Sequence, residues 1–376
     1  MPEIFWLAGE NSGDLHAAQV MKELNTLGND LQHSGIGGKR MQSAGLKPLF
    51  PFTRFSIMGF IEVLKHLLFF FQVEKKIKGL FINNPPDLVV LVDYPGLNLR
   101  IARLAKKRNI PVLYYICPQF WAWKMNRIKK LKKYTDHIAY ILPFEKHFME
   151  INAIPSTYVG HPIAEEISIT MDRNSFANKY DLDPARIWLG FLPGSRDTEI
   201  IRILPEFLKA ILHLDPTQNE FLISLAPTVN EALFHKIMGS FPRINLKVIR
   251  DDAYHLMHHC RLLVVTSGTA TLETAYIGTP FIIVYRGGRL SYEIGKRLVK
   301  INMIGLPNLI MGKKILPELV QYDASGNKIY SLMMELMVDN ERYDQIKKEL
   351  KQLHAILDSR SASRETAEII RNMLYG

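Results

Sequence analysis

The stretch RLLVVTSGTATLETAYIGTP, residues Arg261–Pro280, decides the fold class. It joins a strand-like apolar run, Leu262–Val265, to a turn of small residues and then to a helical segment that carries Glu273. In such a strand–turn–helix unit, free backbone N–H groups and the positive end of the helix dipole form an anion site. A carboxylate behind the turn can accept hydrogen bonds from sugar hydroxyls. The segment therefore indicates a nucleotide-sugar site, although a small-residue N-cap on a buried helix fits it equally well.

Short apolar strands alternate with helical segments through most of the chain, which is typical of parallel α/β sheets. The predicted strands are Ile4–Ala8, Leu88–Val92, Val112–Ile116, Ile138–Leu142 and Thr157–Val159 in the first half, and Trp188–Leu192, Phe221–Leu225, Leu246–Ile249, Leu262–Val265 and Phe281–Tyr285 in the second. A length of 376 residues exceeds what one core usually supports. We therefore predict two Rossmann-like lobes at residues 1–168 and 169–344, with ligands in a cleft at the carboxyl ends of the strands. The amphipathic C-terminal helices, about residues 345–376, are expected to cross back to the first lobe.

The composition favours anionic partners and a reducing compartment. The net charge of +10 at pH 7 should attract phosphorylated substrates, an anionic membrane surface or nucleic acid. Two cysteines form no disulfide framework and suit a reducing compartment. The N-terminal sequence lacks the basic start of a signal peptide, and no apolar run reaches the ~18 residues of a membrane span. We expect a cytoplasmic protein that attaches peripherally to a membrane.

Asp93 directly follows the predicted strand Leu88–Val92. A carboxylate at the carboxyl end of a buried parallel strand faces the ligand site, where partial desolvation can raise its pKa toward that of a general base. An aspartate that caps the turn Tyr94–Gly96 explains the same position at least as well. Both roles therefore stay open for Asp93 at this point.

The predicted strand Trp188–Leu192 ends in a loop that contains Gly194, Ser195 and Arg196. A glycine lets the backbone approach a ligand closely, and an arginine offers a bidentate fork for phosphate oxygens. The turn Thr266–Thr269 belongs to the same lobe and should face the same site. A plain loop with a surface arginine fits these residues less well than a phosphate site does.

Three further sequence patterns exclude or disfavour particular classes of binding site. The first loop, Gly9–His16, does not follow the GxGxxG pattern, which disfavours a nicotinamide site, and Gly35–Gly38 is a weak second candidate for a phosphate loop. The aromatic and basic segment Gln119–Lys133 suits anionic lipid headgroups as well as nucleic acid, and no nucleic-acid-binding motif accompanies it. No HExxH, CxxC or DxD pattern supplies a metal site. We expect no metal, no cofactor and no nucleic-acid partner.

The segment Ser56–Phe71 predicts an amphipathic helix whose apolar stripe packs against a core. Phe69 and Phe70 lie off that stripe and close to the lysines of residues 75–78. Exposed aromatic side chains beside cations are typical of an interfacial membrane contact. Additional core packing explains the same two residues equally well.

With these residues in place, the chain closely resembles the lipid-A-disaccharide synthase family of inverting glycosyltransferases, which have the two-lobed GT-B fold. The resemblance spans nearly the whole chain and includes Gly9–Asp14, Gly35–Gly38, Met58–Leu64, Pro86–Asn98, Tyr115–Trp123, Leu142–Lys146, Gly160–Pro162, Leu192–Arg196, Ser267–Glu273, Lys296–Lys300 and Leu306–Ile310. The sequence departs from a common family form at Tyr94–Leu97, which replaces Ala-Pro-Asp-Phe, and at Asn11 and Lys39, which replace Ala and Pro. The first departure removes a second acidic residue near Asp93 and leaves open which group assists it.

The resemblance implies that a 2,3-diacylglucosamine moves from its UDP carrier to the 6-hydroxyl of 2,3-diacylglucosamine 1-phosphate, giving a β-1′,6-linked disaccharide and UDP with inversion. It also implies these roles: Asp93 as base; Arg196 with the N–H groups of Ser267, Gly268 and Thr269 on the leaving UDP; Gly194, Ser195, Glu273 and Asn308 on the UDP-sugar; Glu10, Ser12, Gly13 and Asp14 on the acceptor side; and Phe69 and Phe70 on the membrane. Glu10, Asp14 or His16 would be the next candidates for the base. The expected partners are the donor, the acceptor and the anionic inner-membrane surface of a Gram-negative-type bacterium, with a homodimer as a candidate assembly.

Two other classes of function stay open. One is another GT-B enzyme, either a peptidoglycan-lipid N-acetylglucosaminyltransferase or a UDP-sugar 2-epimerase. The other is a non-catalytic surface protein that binds polyanions through its positive charge. The second class leaves the loops Pro193–Arg196 and Ser267–Glu273 unexplained.

Overall fold

The structure is a computed structural model that describes residues 1–28, 30–56, 67–118, 126–288 and 303–376. The chain divides into two compact units. The first unit contains residues 1–165 and 358–376, and the second contains residues 166–357. The chain therefore passes from the first unit to the second after residue 165 and returns to the first unit at residue 358.

The first unit alternates strands and helices from its N-terminus. Its strands are β1 Glu3–Ala8, β2 Gln32–Ile36, β3 Leu46–Pro48, β4 Leu88–Val92, β5 Val112–Tyr115, β6 His137–Tyr140 and β7 Ser156–Tyr158. Its helices up to the junction are α1 Asn11–Thr26, α2 Lys39–Ser43, α3 Thr53–Ser56, α4 Leu67–Asn83, α5 Pro95–Lys106, α6 Asn126–Tyr134, α7 Glu145–Ile151 and α8 Ile163–Glu166.

The second unit repeats this alternation. Its helices are α9 Arg173–Tyr180, α10 Asp197–Ile211, α11 Glu231–Met238, α12 Ala253–His259, α13 Thr269–Ile277, α14 Leu306–Met311, α15 Gly326–Val338 and α16 Asn340–Leu357. Its strands are β8 Ile187–Leu192, β9 Asn219–Ser224, β10 Lys247–Ile249, β11 Leu262–Thr266, β12 Phe281–Tyr285 and β13 Glu318–Val320. The last helix, α17 Ala362–Tyr375, packs on α1 in the first unit.

Both sheets are parallel and share the strand order 3-2-1-4-5-6, to which the first sheet adds a seventh strand at its edge. The described residues of the first unit form the sheet β3-β2-β1-β4-β5-β6-β7, and those of the second form β10-β9-β8-β11-β12-β13. The order reverses between β1 and β4 in one sheet and between β8 and β11 in the other. At such a switch point the two loops turn to opposite faces of the sheet and leave a crevice at the carboxyl ends of the strands. The predicted α/β fold with two Rossmann-like lobes is thus confirmed.

The central strands are nearly continuous apolar runs because helices cover both faces of a parallel sheet. Every residue of β4, LVVLV, is buried, and so is every residue of β11, LLVVT. Each fully buried Val or Leu side chain stabilises the fold by about 1.5–3 kcal/mol relative to an exposed one. These strands hold the loops that follow them in fixed positions.

The predicted division of the chain needs correction near its end. The prediction assigned about residues 345–376 to the first lobe, but α16 packs on α13 within the second unit. The His354 ring of α16 stacks on the Tyr276 ring of α13, and its Nδ1 atom lies 2.7 Å from the Tyr276 carbonyl. The segment that belongs to the first unit begins at Asp358, and the first crossing lies between Glu165 and Glu166.

Candidate functional site

The switch point of the first unit contains a left-handed turn at Asp93 and Tyr94, whose φ angles are 44° and 48°. Residues other than glycine rarely adopt this region, and each costs of order 1–3 kcal/mol. The turn is held by the Tyr114 hydroxyl, which donates to the Asp93 carbonyl at 2.7 Å, and by the Asn98 amide, which donates to the same oxygen. The Tyr94 ring covers Gly9, where a Cβ atom would lie 2.6 Å from the ring. Only glycine therefore fits at the end of β1.

The carboxyl group of Asp93 is poised to exchange protons near neutral pH. Burial, together with the negative charge of Glu10, raises its pKa to about 6. A hydrogen bond from the Tyr94 N–H and the nearby His16 act on this pKa in the opposite direction. A carboxyl group with this pKa is ionised for most of the time at pH 7 and is basic enough to take a proton from a hydroxyl. This environment is what general-base chemistry needs.

Asp14, predicted on the acceptor side, instead has a structural role. Its buried carboxylate accepts hydrogen bonds from the N–H groups of Gly38 at 2.7 Å, Arg40 at 3.2 Å and Met41 at 3.1 Å. These are the free N–H groups at the start of α2, so Asp14 caps that helix. It is not available as a base or as an acceptor ligand. The same contact explains Gly38, where a Cβ atom would lie 2.5 Å from the Asp14 carboxylate.

The other first-loop residues differ in accessibility. Glu10 and Ser12 are exposed at the end of β1 and the start of α1, whereas Gly13 is buried against Ala8. Because they are exposed, Glu10 and Ser12 remain candidates for acceptor contacts.

His161 lies in the loop after β7. Burial, together with the nearby His16, lowers its pKa to about 3, so the side chain is neutral near pH 7.

In the second unit, the loop after β8 is organised by Glu199, in the first turn of α10. The Oε2 atom of Glu199 accepts from the N–H groups of Ser195 at 2.9 Å and Arg196 at 3.3 Å, and Oε1 accepts from Nη1 of Arg196 at 3.1 Å. Gly194 has a φ of 111°, and a Cβ atom there would lie 2.3 Å from Oε2 of Glu199. The Thr228 hydroxyl fixes the other side of the loop by donating to the Ser195 carbonyl at 2.6 Å. The Arg196 side chain remains 78% exposed, so a ligand can reach its guanidinium despite the contact with Glu199.

The turn after β11 is organised differently. The N–H group of Ser267 donates to the Val284 carbonyl at 2.8 Å, so it is not available to a ligand as predicted. Within the described part of the chain, the N–H groups of Gly268, Thr269 and Ala270 make no hydrogen bond. The first turn of α13 has no side-chain cap and no acidic residue, whereas that of α10 has Asp197 and Glu199. The start of α13 is therefore the better anion site of the two.

Glu273 lies one turn into α13, where the Tyr254 hydroxyl lies 3.5 Å from its Oε1. Burial, together with the negative charge of Glu166, raises the pKa of Glu273 to about 7. Near neutral pH this group can accept or donate a hydrogen bond. It is thus suited to a sugar hydroxyl, and the ribose contact stays a prediction.

Asn308 has no hydrogen-bonding capacity left for a nucleotide, which corrects the predicted direct contact. Its buried amide donates to the Leu316 carbonyl at 2.9 Å and to Glu318 at 2.8 Å. Its oxygen accepts from the N–H groups of Ile315 and Leu316, both at 2.9 Å. Two donors and two acceptor positions are all that an asparagine side chain has.

Asn308 instead supports the turn after β11 indirectly, through its partner Glu318. The Glu318 carboxylate accepts from the N–H groups of Ile304 at 3.0 Å and Gly305 at 2.9 Å. The Ser267 hydroxyl in turn donates to the Ile304 carbonyl at 3.3 Å. Sequence patterns did not reveal Glu318, because its strand is short and lies at the sheet edge.

The prediction that Phe69 and Phe70 are exposed is wrong. They are only 8% and 6% exposed, and both pack into the core of the first unit against Phe55. The exposed apolar residues of α4 are Leu68, at 79%, and Phe71, at 56%. A 3.6-residue period places these two on one face of the helix. The predicted stripe contained both of them, whereas the buried face of α4 contains Phe69, Phe70 and Val73.

Some predicted features lie outside the described residues: most of the stripe in Ser56–Phe71, the aromatic cluster at residues 119–125 and the segment Lys296–Lys300. Among the described residues, no helix is both long and apolar enough to cross a bilayer. No group of three or more His, Cys, Asp or Glu side chains in that part of the chain has the geometry to hold a metal ion.

Solved structures of similar fold cover almost the whole chain. The UDP-GlcNAc 2-epimerase from Neisseria meningitidis bound to UDP-GlcNAc has a TM-score of 0.60 at 13% identity, covering 99% of this chain and 98% of the epimerase. The glycotransferase of kitacinnamycin and the S. aureus MnaA–UDP complex both have a TM-score of 0.66 at 12% identity, and each covers 100% of this chain, with 100% and 96% of their own chains covered. These likenesses show the GT-B fold.

Comparison of sequences identifies the family, which the likeness of fold alone does not. The model of the lipid-A-disaccharide synthetase family matches residues 4–374. Lipid-A-disaccharide synthase from Nitrosococcus oceani is 37% identical over 100% of this chain and 97% of its own. The corresponding enzyme from Coxiella burnetii is 35% identical over 99% of this chain and 98% of its own. The chain therefore belongs to the lipid-A-disaccharide synthase family and is a glycosyltransferase.

Proposed function

We propose that the protein transfers 2,3-diacylglucosamine from UDP-2,3-diacylglucosamine to the 6-hydroxyl of 2,3-diacylglucosamine 1-phosphate. The products are the β-1′,6-linked lipid A disaccharide and UDP. The match to one family along residues 4–374 is the observation that carries this proposal. The loops at the two switch points supply residue types that suit each half of the reaction.

In the first unit, Asp93 acts on the acceptor. It removes the proton of the 6-hydroxyl as the oxygen attacks the anomeric carbon of the donor from the face opposite UDP, so the configuration inverts. The pKa of about 6 supports this role, because the carboxylate is present at neutral pH and regains its basicity after each turnover. Glu10 and Ser12 at the neighbouring strand end contact the acceptor sugar.

In the second unit, a cation and backbone dipoles stabilise the leaving group. Arg196 binds the diphosphate, and the N–H groups of Gly268, Thr269 and Ala270 donate to its oxygens. Gly194 and Ser195 allow the loop to approach the donor, and Glu273 accepts hydrogen bonds from the ribose. Negative charge that develops on UDP is thus neutralised by this chain's own groups.

The direct test is incubation of the purified full chain with both substrates, followed by mass spectrometry for the phosphorylated disaccharide and by assay of UDP. An epimerase would convert its UDP-sugar without any acceptor and would yield no disaccharide. A protein that only binds polyanions would release no UDP and would have no affinity for it.

We further propose that α4 contacts the inner-membrane surface of a Gram-negative-type cell, where both lipid substrates lie. Leu68, Phe71, Lys75 and Lys78 are exposed and follow one another at spacings of three or four residues, so they share a helix face. Apolar side chains at one end of such a face can enter the lipid while the lysines meet anionic headgroups.

The double substitution Leu68→Ser and Phe71→Ser should reduce binding to anionic vesicles with little change in Tm. Serine at the buried Phe69 is the matched control, and it should lower Tm by creating a cavity. Equal vesicle binding by wild type and the Leu68/Phe71 variant would contradict the contact.

Sedimentation at several protein concentrations tests the predicted homodimer.

A further inference from the structure

The ion pair between Arg196 and Glu199 occupies the group that the proposed function assigns to the donor diphosphate. One oxygen of Glu199, Oε2, is fitted into the loop by the two N–H groups and by the absence of a Cβ atom at Gly194. The other oxygen, Oε1, contacts the Arg196 guanidinium at 3.1 Å. The two oxygens of one carboxylate therefore have separable partners.

The contact to the guanidinium is weak enough to exchange. It is a monodentate pair between residues three apart, and the Arg196 side chain is 78% exposed. Pairs of this kind add little to stability, because water screens them and both side chains lose freedom. A diphosphate offers more negative charge and a geometry that a guanidinium can bind with two parallel hydrogen bonds. It should displace Oε1 without disturbing the contacts of Oε2.

We propose that Glu199 is the resident counter-ion of Arg196, and that the donor diphosphate replaces it on the guanidinium while Glu199 continues to hold the loop. This inference rests on the proposed function, since it requires Arg196 to meet the diphosphate. Glu199 is thus a positioning residue with two effects of opposite sign. It orders the loop that binds the donor, and it competes with the donor for the cation.

The two effects can be separated by two substitutions. Glu199→Gln keeps an oxygen for the Ser195 and Arg196 N–H groups but removes the charge, so it should bind UDP ~2- to 5-fold more tightly than wild type. Glu199→Ala loses the loop contacts as well and should bind UDP about threefold more weakly, or worse. Calorimetric titration with UDP at fixed ionic strength measures both, with circular dichroism as the check on folding.

Asp197→Asn is the matched control, because it removes a charge from the same helical turn. The Asp197 carboxylate accepts from the Asn230 N–H at 2.9 Å rather than contacting Arg196. This variant should leave UDP affinity within about 1.5-fold of wild type. An equal gain in Asp197→Asn and Glu199→Gln would indicate a general charge effect and overturn the proposal.

The Arg196→Ala background connects the gain to its cause. Glu199→Gln should give no gain there, because no cation remains for the carboxylate to occupy. If Glu199→Gln binds UDP no more tightly than wild type while Arg196→Ala binds it less tightly, Glu199 is only a loop cap and the displacement is wrong. If Arg196→Ala binds UDP as tightly as wild type does, the donor-site assignment itself fails.

Discussion

The switch points of the two sheets can be compared directly, because both sheets share the strand order 3-2-1-4-5-6. In the first unit the loops after β1 and β4 bring the acidic groups Glu10 and Asp93 together, and their repulsion adds to the effect of burial on the Asp93 pKa. In the second unit the loops after β8 and β11 present the Arg196 guanidinium and the free N–H groups at the start of α13. The same topology thus supports two electrostatic environments of opposite character.

The loops, rather than the strands, give the two switch points their different chemistry. The strands and their order fix where each loop lies, and the loop residues decide whether that end of the sheet carries acidic groups or a cation with free N–H groups. The backbone differs in the same way. The loop after β4 contains left-handed Asp93 and Tyr94, which cost free energy, whereas the loop after β8 has Gly194, which adopts a positive φ without that cost. Strain therefore accumulates where the proposed base lies.

Asp93→Asn tests the acidic group at the switch point of the first unit, and we expect it to have the largest effect of these substitutions. Asparagine keeps the size of the side chain and tolerates a positive φ, but it cannot take a proton. We expect kcat to fall by about 10²–10⁴-fold with UDP affinity retained. In the wild type, kcat/KM should fall as the pH drops below about 6, because the carboxyl group becomes protonated. Near-full activity of the variant would place the base elsewhere, with Glu10 or His16 next to test.

Arg196→Ala tests the cation of the second unit. We expect kcat/KM to fall by about 10²–10³-fold, because the departing diphosphate loses its positive partner. Arg202→Ala is the control, since Arg202 is exposed on the same helix, farther along the chain from the loop. Steady-state kinetics of both variants should separate a local role from the loss of one positive charge. Equal rates for the two variants would remove Arg196 from the site.

Thr269→Pro tests the free N–H groups by deleting one of them. Thr269 is the first residue of α13, where proline is well tolerated, and the extended Gly268 before it suits a following proline. We expect UDP affinity to fall about tenfold, the scale of a lost hydrogen bond to a charged group. Thr269→Ala keeps the N–H group and should bind UDP almost normally. Loss of affinity in both variants would instead implicate the side chain.

Much of the fold could be predicted from the sequence because most strands are continuous apolar runs. β4 and β12 were predicted with the observed bounds. The strands that were missed are β2, β3 and β13. β2 reads QHSGI, and its buried polar residues are satisfied by tertiary partners such as the Trp6 indole, which donates to His33 at 3.0 Å. The two others are three-residue edge strands without a periodic pattern.

The site was predictable at the level of loops but not of individual hydrogen bonds. Their position after a strand makes Asp93 and Arg196 candidates, because parallel topology places such residues at one edge of the sheet. Asn308 and Asp14 stand in motifs as well, yet the structure commits both to backbone groups outside those motifs. A sequence shows that a polar residue is present, and only the fold shows whether its bonds are already used.

The smallest effect concerns stability and has opposite signs at two aspartates of the first unit. The pKa of Asp93 is raised from its ordinary value of 3.8 to about 6, so the unfolded chain releases this proton at a lower pH than the folded one does. Stability is therefore lost as the pH rises through this window. Asp93→Asn removes the loss, and at pH 8 its Tm should exceed that of the wild type by about 2–4 °C, with the difference vanishing below about pH 4. Asp14→Asn should instead lower Tm at pH 8, because the three N–H groups on that carboxylate lose an acceptor. Thermal unfolding at both pH values checks the pair, and a lower Tm for Asp93→Asn at pH 8 would show that its ionised carboxylate is stabilised rather than strained.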